Sequence, residues 1–196
     1  MTLVFASNNA HKLAEVRAMM PAGITVLSLH DIGFEQEIDE TGTTLEANSA
    51  LKAQTVYNWL DNRQSSNRQS LDGVFADDTG LEIDALGGAP GVYTARWAGE
   101  PAANRAKALR ELAGREDRGC QFRTVITLIR DGQTQQVAGV VRGRIAKEEY
   151  GNGGFGYDPV FIPEGYDKTF GELPAELKNS ISHRARAMQA LVKLLS

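Results

Sequence analysis

Short apolar runs alternate with polar and glycine-containing turns along the chain, and this pattern predicts alternating strands and helices. Residues 3–6 are all apolar and predict a buried strand, and residues 24–29 predict a second one. The segment between them has apolar residues at helical spacing, Leu13 and Val16 among them, and it ends at Pro21. The start of the chain is therefore predicted to fold as strand, helix, strand.

A longer helix is predicted in the next segment. Thr43 and Glu46 have the spacing of a capping box, so we expect a helix to begin there and to run to about Leu60. Asn48 and Lys52 are four residues apart and should project from the same face of that helix. This helix would carry polar side chains as well as an apolar stripe.

The rest of the chain combines short strands with two further helices. The predicted strands are residues 74–76, 81–85, 122–128, 136–145 and 160–162, and the predicted helices are residues 102–113 and the C-terminal segment. Asp131 and Gly132 predict a tight hairpin, which makes two of these strands antiparallel. The predicted fold class is therefore α/β with a mixed sheet.

Composition and charge restrict the classes of protein. The chain has 196 residues, 42% hydrophobic and 23% charged, which suits one globular domain over residues 1–196, with two lobes at most. A formal charge of -4 disfavours a nucleic-acid polymer as partner, whereas a small anionic ligand is compatible with it. The single cysteine fits a reduced, cytoplasmic setting, and we expect no signal peptide and no membrane-spanning segment.

The first candidate site is the junction between the first strand and the first helix. It consists of Ser7, Asn8, Asn9, Ala10, His11 and Lys12. Backbone N–H groups and the positive end of the helix dipole suit a phosphate there, and Lys12 adds a mobile cation. On this feature alone, a capped helix with a solvated lysine is the simpler interpretation.

Two acidic pairs are candidates for metal binding. Asp39 and Glu40 precede a predicted helix, and Asp77 and Asp78 follow a predicted strand, with Thr79 next. Mg²⁺ takes oxygen ligands, often one or two carboxylates, and Glu40 and Asp78 could supply them. Asp77 and Asp78 should point to opposite sheet faces, so at most one faces the site unless the chain bends. The alternative is that each pair is simply an acidic turn. For the first pair this alternative is as plausible as a metal site, and for the second pair it is less plausible than a metal site.

A glycine-rich segment is interpreted as a loop that binds a base. Gly151, Gly153 and Gly156 have the spacing of the dinucleotide-binding fingerprint, but a strand follows instead of a helix, so that match is rejected. Phe155 and Tyr157 are unusual in a plain linker. Glycines allow the backbone close to a flat ligand and an aromatic ring can stack on it, which favours a base-binding loop over a flexible connection.

A cluster of cations precedes the last helix. Ser182 is predicted to cap that helix, with Lys178, His183 and Arg184 at its start. Positive charge there opposes the helix dipole unless an anion also binds, and such a conflict is typical of a functional site. His30 lacks this context and is expected at the surface. The sequence contains no P-loop, no zinc-protease motif and no pair of closely spaced cysteines.

Seven motifs in this order resemble the inosine triphosphate pyrophosphatase family, whose members cleave noncanonical purine nucleoside triphosphates. The motifs are Ser7-x-Asn9-x-x-Lys12, Glu40-Thr41-Gly42, Glu46-x-Asn48-x-Ala50 with Lys52, Ala76 to Leu81, Gly88 to Arg96, Gly153 to Pro159 and Ser182-His183-Arg184. Each motif is weak alone, but the set spans nearly the whole chain.

The resemblance implies an elongated mixed β-sheet flanked by helices, two lobes with a central cleft, a homodimer and Mg²⁺ as cofactor. It implies that Glu40 and Asp78 bind Mg²⁺ and that Asp78 is the proton acceptor. Our own mechanistic hypothesis keeps the neighbouring Asp77 as an alternative for this catalytic role. The implied substrate-binding residues are Ser7, Asn8, Asn9, Ala10, His11, Lys12, Thr79, Phe155, Gly156, Tyr157, Asp158, Lys178, His183 and Arg184.

This chain departs from the family pattern at a few positions. Asn8 and His11 stand where many members have glycines, Thr79 replaces a frequent serine, and Gly171 stands where alanine is common. The polar stretch 61–70 resembles an insertion and is interpreted as part of a mobile surface loop. None of these departures removes a group that the chemistry needs.

The expected activity is hydrolysis of ITP, dITP and XTP to the monophosphate and pyrophosphate. Donors from the loop backbone, His183 and Arg184 would bind the six-oxo group of the base. Adenine has an amine at that position and would leave these donors unpaired, and sites of this kind can discriminate between two substrates by roughly 10⁴-fold. A pyrophosphatase for modified pyrimidine nucleotides and a nucleotide-binding regulator without turnover are alternatives. A plain interaction module is disfavoured because the sequence predicts no exposed apolar stripe.

Overall fold

The computed structural model describes residues 1–62 and 71–195, so most of the predicted polar loop lies outside the described residues. The helices are α1 (Ala10–Met19), α2 (Leu45–Asn62), α3 (Pro101–Glu111), α4 (Ala175–Ile181) and α5 (His183–Leu195). The strands are β1 (Thr2–Phe5), β2 (Thr25–Leu27), β3 (Gly73–Ile83), β4 (Pro90–Gly91), β5 (Gly119–Arg130), β6 (Gln133–Ile145) and β7 (Phe161–Pro163). No helix in these described ranges is both long enough and apolar enough to cross a membrane.

The strands form one mixed sheet, which confirms the predicted fold class. Its order is β2-β1-β3-β5-β6-β7, and β4 pairs with β3 outside this path. Strand β1 is parallel to β2 and to β3, with Val4 opposite Leu27 and Val74. Strands β4 and β7 run antiparallel to β3 and β6. The parallel strands need helical connections, which α1 and α2 supply.

The chain divides into two compact units. Unit 1 comprises Met1–Asp78, Val125–Ala138 and Ala187–Ser196, and unit 2 comprises Thr79–Thr124 and Gly139–Arg186. Strand β3 passes from one unit to the other between Asp78 and Thr79. Each unit has its own apolar core.

Both faces of the sheet are buried in unit 1. One cluster contains Leu3, Phe5 and Phe75 from the strands with Val16 of α1 and Met188 and Leu191 of α5. The other contains Val4, Ala6, Val74 and Ala76 with Ala53 and Val56 of α2. Because successive strand residues point to opposite faces, helices on both sides require the uninterrupted apolar runs seen in β1 and the start of β3.

The core of unit 2 is built around aromatic rings. The Phe161 ring centroid lies 4.8 Å from that of Phe122 and 5.1 Å from that of Phe170. Cys120, the single cysteine of the chain, is buried in the same cluster. Its burial raises the pKa of the thiol to about 12, so the reactive thiolate is scarce at neutral pH.

Several predicted elements are confirmed and others need correction. Asp131 and Gly132 form the predicted hairpin turn, with φ of 50° and 74°, and the Ser182 hydroxyl accepts from Ala185 N–H at the start of α5. The cap of α2 is Thr44, one residue after the predicted Thr43, because the Ala47 N–H donates to the Thr44 hydroxyl at 3.1 Å. Helix α4 was not predicted, and Lys178 belongs to it rather than to the start of α5.

The two strands predicted at residues 74–76 and 81–85 are one continuous strand, β3. The sequence predicts a break there because adjacent aspartates are poor strand formers. In the structure both aspartates are paired with buried or nearly buried lysines, which removes the reason for the chain to leave the sheet.

Candidate active site

The start of α1 presents an anion-binding geometry in unit 1. The Asn9 side chain caps the helix by accepting from the Lys12 N–H at 3.1 Å, and Ser7 Oγ accepts from the Asn9 N–H at 3.3 Å. The first turn carries no acidic residue, so the positive end of the helix dipole is not neutralised by its own side chains. Four of the six predicted phosphate-binding residues are exposed, namely Asn8, Asn9, Ala10 and His11.

Lys12 reaches from this helix to the sheet. Its Nζ lies 2.9 Å from Asp77 Oδ1, and Asp77 is 1% exposed. Asp77 follows Phe75 on the sheet face that α1 covers, so the ion pair is a consequence of strand alternation. The pair holds the ammonium group of Lys12 next to the start of α1.

Lys52 joins two carboxylates on the opposite sheet face. Its Nζ lies 2.6 Å from Glu40 Oε1 and 3.3 Å from Asp78 Oδ1, and both Lys52 and Asp78 are buried. Asp78 follows Ala76, which packs against α2, the helix that carries Lys52. The two aspartates therefore turn to different helices, as alternation predicts. Sequence reasoning placed Lys52 on the same helix face as Asn48 but did not assign it to this pair of carboxylates.

The five charged groups influence one another strongly. Burial is the main cause that raises the pKa of Asp78, and Glu40 adds to it, whereas Lys52, Lys12 and the nearby Asn48 amide act in the opposite direction. Burial acts to lower the pKa of Lys52, but Asp78, Asp77 and Glu40 together raise it above its ordinary value. Lys52 is therefore a firmly charged cation among carboxylates.

The donors of this cluster fit a divalent cation. Asp78 Oδ2 is buried and has no hydrogen-bond partner within residues 1–62 and 71–195. The described residues contain no group of three or more His, Cys, Asp or Glu side chains able to hold a metal. Mg²⁺ does not need such a group, because it is commonly held by one or two carboxylates with water and phosphate oxygens as the other ligands.

Replacement of Lys52 by methionine is expected to destabilise the fold in a pH-dependent way. Without the ammonium group, burial and Glu40 raise the pKa of Asp78 further. A carboxyl with a raised folded-state pKa favours folding only while protonated, so the destabilisation should grow as pH rises above the ordinary value of 3.8. With a chelator present, we expect a loss of about 3 kcal/mol in the free energy of unfolding at pH 8 and a smaller loss at pH 5.

Chemical denaturation at the two pH values measures this loss. Lys147→Met is the matched control, because Lys147 is exposed, and it should change the free energy of unfolding by less than about 0.5 kcal/mol. Equal losses for Lys52→Met at both pH values would contradict the proposed coupling with Asp78.

The glycine-rich loop in unit 2 is built around a buried ion pair. Asp158 Oδ2 accepts from Lys178 Nζ at 2.6 Å and from the Phe155 N–H at 2.7 Å. Gly154 has φ of 70°, and a Cβ there would overlap the Asp158 carboxylate. Arg105 of α3 donates to the Gly156 carbonyl at 2.9 Å. The loop is therefore held by specific contacts, as expected of a binding element more than of a linker.

Cations from two helices meet at the Phe155 ring. Lys178 Nζ of α4 lies 4.8 Å from the ring centroid, and the guanidinium carbon of Arg184 of α5 lies 5.7 Å from it. Both distances are those of cation–π contacts. Tyr157, which the sequence assigned to the same pocket, is buried and donates from its hydroxyl to the Thr94 carbonyl at 3.1 Å. Burial raises the pKa of Tyr157.

The remaining predicted residues of unit 2 rest on strand β5. Arg184 Nη2 donates to Thr79 Oγ1 at 3.3 Å, and the hydroxyls of Thr79 and Thr124 are 2.8 Å apart. The His183 ring stacks on Phe122 with centroids 4.6 Å apart. Sequence reasoning missed both Phe122 and Thr124, since alternation places them on one strand face without indicating what that face contacts.

A helix start with paired lysines and carboxylates, and a separate cluster of an aromatic ring and cations, are typical of a nucleotide-binding α/β protein. The model of the Ham1 family matches residues 3–194, and the chain belongs to that family. This match confirms the family resemblance that the seven sequence motifs indicated.

Relatives and solved structures cover the chain throughout. The dITP/XTP pyrophosphatase of Flavobacterium johnsoniae is 48% identical, with 100% of this chain and 98% of the relative aligned. That of Bacillus subtilis is 45% identical, with 98% and 96% aligned. The Ham1 protein of Staphylococcus aureus superimposes with a TM-score of 0.85 at 38% identity, covering 100% of this chain and 98% of the other. The HAM1 protein of Coxiella burnetii gives 0.84 at 34% identity, with the same coverage.

Proposed function

We propose that this protein hydrolyses the noncanonical purine nucleotides ITP, dITP and XTP to the nucleoside monophosphate and pyrophosphate, which removes them from the nucleotide pool. Relatives named dITP/XTP pyrophosphatase, aligned over 98% and 96% of their length, support the substrate class. The main structural observation that supports this chemistry is the cluster of Lys52 with Glu40 and Asp78, next to the Lys12–Asp77 pair.

The triphosphate would bind at the start of α1. Backbone N–H groups of the first turn and the Lys12 ammonium group supply positive charge, and Ser7 and Asn9 offer polar side chains. Asp77 acts here through Lys12, because its carboxylate holds that ammonium group in place. This role suits a residue that is almost completely buried.

Glu40 and Asp78 would hold Mg²⁺, as the unpartnered Asp78 Oδ2 favours. When bound, Mg²⁺ supplies charge neutralisation at the phosphate oxygens. Asp78 accepts the proton of the water that attacks the α-phosphorus, and pyrophosphate leaves. Because burial raises the pKa of Asp78, its carboxylate is a stronger base than an exposed aspartate. Lys52 keeps this carboxylate ionised.

The purine would bind at the Phe155 ring. The loop backbone, His183 and Arg184 are the donors available for the six-oxo group, and Lys178 and Arg184 supply charge beside the ring. Adenine presents an amine at that position and leaves these donors unpaired, which gives the selectivity a physical cause.

We also propose that the two compact units form one functional domain and that the protein is a cytoplasmic homodimer. Sedimentation of the purified chain at micromolar concentration tests the dimer, and a monomer would contradict it.

A panel of nucleoside triphosphates assayed for pyrophosphate release tests the function. We expect ITP, dITP and XTP to be hydrolysed with kcat/KM on the order of 10²–10⁴ times that for ATP. The rate should fall to background when a chelator removes divalent metal and return when Mg²⁺ is added.

Two outcomes of this panel of substrates would contradict the proposed function and favour another one. Preferential hydrolysis of modified pyrimidine nucleotides would favour the related pyrimidine-directed pyrophosphatase. Tight binding of ITP without pyrophosphate release would favour a regulator that binds nucleotides.

A further inference from the structure

Strand β5 presents two neighbouring side chains of one face to the proposed base site. Phe122 and Thr124 are two residues apart, so they lie on the same face, and both are buried. We propose that this face is a platform that orients His183 and Arg184, and that Thr124 is a positioning residue for base selection. The inference rests on the proposed function and deepens it.

Phe122 fixes the plane of the His183 ring. The two rings are nearly parallel, with an interplanar angle of 18° and centroids 4.6 Å apart. His183 is the first residue of α5 and is 5% exposed, so its backbone and its ring are both constrained. Stacking of this kind favours one ring orientation over the others.

Thr124 acts on Arg184 through Thr79. A guanidinium group can only donate, so Thr79 Oγ1 is the acceptor of the 3.3 Å hydrogen bond from Arg184. Each threonine hydroxyl has one proton, and the two hydroxyls are 2.8 Å apart. When Thr124 donates in that contact, Thr79 Oγ1 accepts from Thr124 and from Arg184 together, so the Thr124 hydroxyl helps to fix the acceptor that Arg184 uses.

The orientation of Arg184 and Thr124 matters because both side chains are buried. Arg184 is 2% exposed and Thr124 is 0% exposed, so water cannot replace a lost partner. Valine keeps the shape of threonine with a methyl group in place of the hydroxyl, whereas serine keeps the hydroxyl and loses the methyl group. Comparison of the two replacements therefore separates the hydrogen bond from packing.

The test is the steady-state hydrolysis of ITP and ATP by Thr124→Val and Thr124→Ser. We expect Thr124→Val to raise KM for ITP about tenfold with kcat changed less than about threefold, because base binding is lost without loss at the phosphate. The ratio of kcat/KM for ITP to that for ATP should fall by about the same factor. Thr124→Ser should remain within about threefold of the wild type in both quantities.

A double variant tests the route through Thr79. If Thr124 acts through that hydroxyl, Thr79→Val with Thr124→Val should have the same ITP/ATP ratio as Thr79→Val alone, within about twofold. Additive effects of the two changes would overturn the route. An unchanged ITP/ATP ratio in Thr124→Val, or an equal loss in Thr124→Ser, would overturn the positioning role.

Equilibrium binding separates this inference from the proposed function. Calorimetric titration with ITP and with ATP, in the presence of a chelator, gives the affinity ratio without turnover. A wild-type protein that released no pyrophosphate would overturn the proposed function, and a lower ITP/ATP affinity ratio in Thr124→Val would still support the platform. A wild-type protein that hydrolysed ITP but did not distinguish ITP from ATP in binding would overturn the platform and leave the proposed function in place.

Discussion

Replacement of Asp78 by asparagine is expected to lower kcat for ITP hydrolysis by about three orders of magnitude. The amide keeps the size of the side chain but removes the charge next to Lys52 and the capacity to accept a proton. Burial raises the pKa of the native carboxyl, so the ionised form is costly to hold and the neutral amide relieves that cost. The fold should therefore survive the change.

Pyrophosphate release under saturating ITP and Mg²⁺ measures the effect, and thermal unfolding checks the fold. Asp77→Asn is the matched control, because it removes a neighbouring carboxylate that pairs with Lys12. We expect it to raise KM by loosening that ammonium group while retaining most of kcat. A near wild-type rate for Asp78→Asn, or equal losses of kcat in both variants, would refute the assignment of Asp78 as proton acceptor.

The second large effect is expected for Gly151→Ala. Gly151 has φ of 76°, and an added Cβ would overlap the Gly171 carbonyl and lie 2.6 Å from Glu172 N. The left-handed backbone costs about 1–2 kcal/mol for a residue with a side chain, and overlap with backbone atoms adds a similar amount. We expect the free energy of unfolding to fall by about 3 kcal/mol in total.

Gly165→Ala separates the cost of the left-handed backbone from the cost of the overlap with backbone atoms. Gly165 has φ of 84°, and an added Cβ there meets nothing within 4 Å, so only the backbone term of about 1 kcal/mol applies. Chemical denaturation measures both variants. KM for ITP should rise in Gly151→Ala alone, because Gly151 begins the loop that carries Phe155. Equal destabilisation by the two changes would show that the contact with Gly171 is not restrictive.

Local chemistry in the sequence predicted much of the fold and the positions of the candidate groups. Asp131 and Gly132 suit a turn with positive φ, and this predicted the hairpin. Alternation along β3 predicted that Asp77 and Asp78 point apart, and the structure pairs them with lysines of different helices. These features depend on neighbours along the chain, which a sequence displays directly.

Other features depend on contacts between distant segments and could not be predicted. The continuity of β3 depends on Lys12 and Lys52, which are 65 and 26 residues from the aspartates that they pair with. Helix α4 has seven residues and no side-chain cap, which leaves too little periodicity to detect. Thr124 meets Thr79 across 45 residues, and nothing in either local sequence indicates that contact.

The buried thiol of Cys120 has a practical consequence for spectroscopy. The chain has one cysteine, it lies in the unit 2 core, and its pKa of about 12 leaves almost no thiolate at pH 7. Maleimide dyes and spin labels should therefore leave the native protein unmodified. A cysteine introduced at an exposed position would be the sole attachment point, so fluorescence or distance measurements need no cysteine-free background.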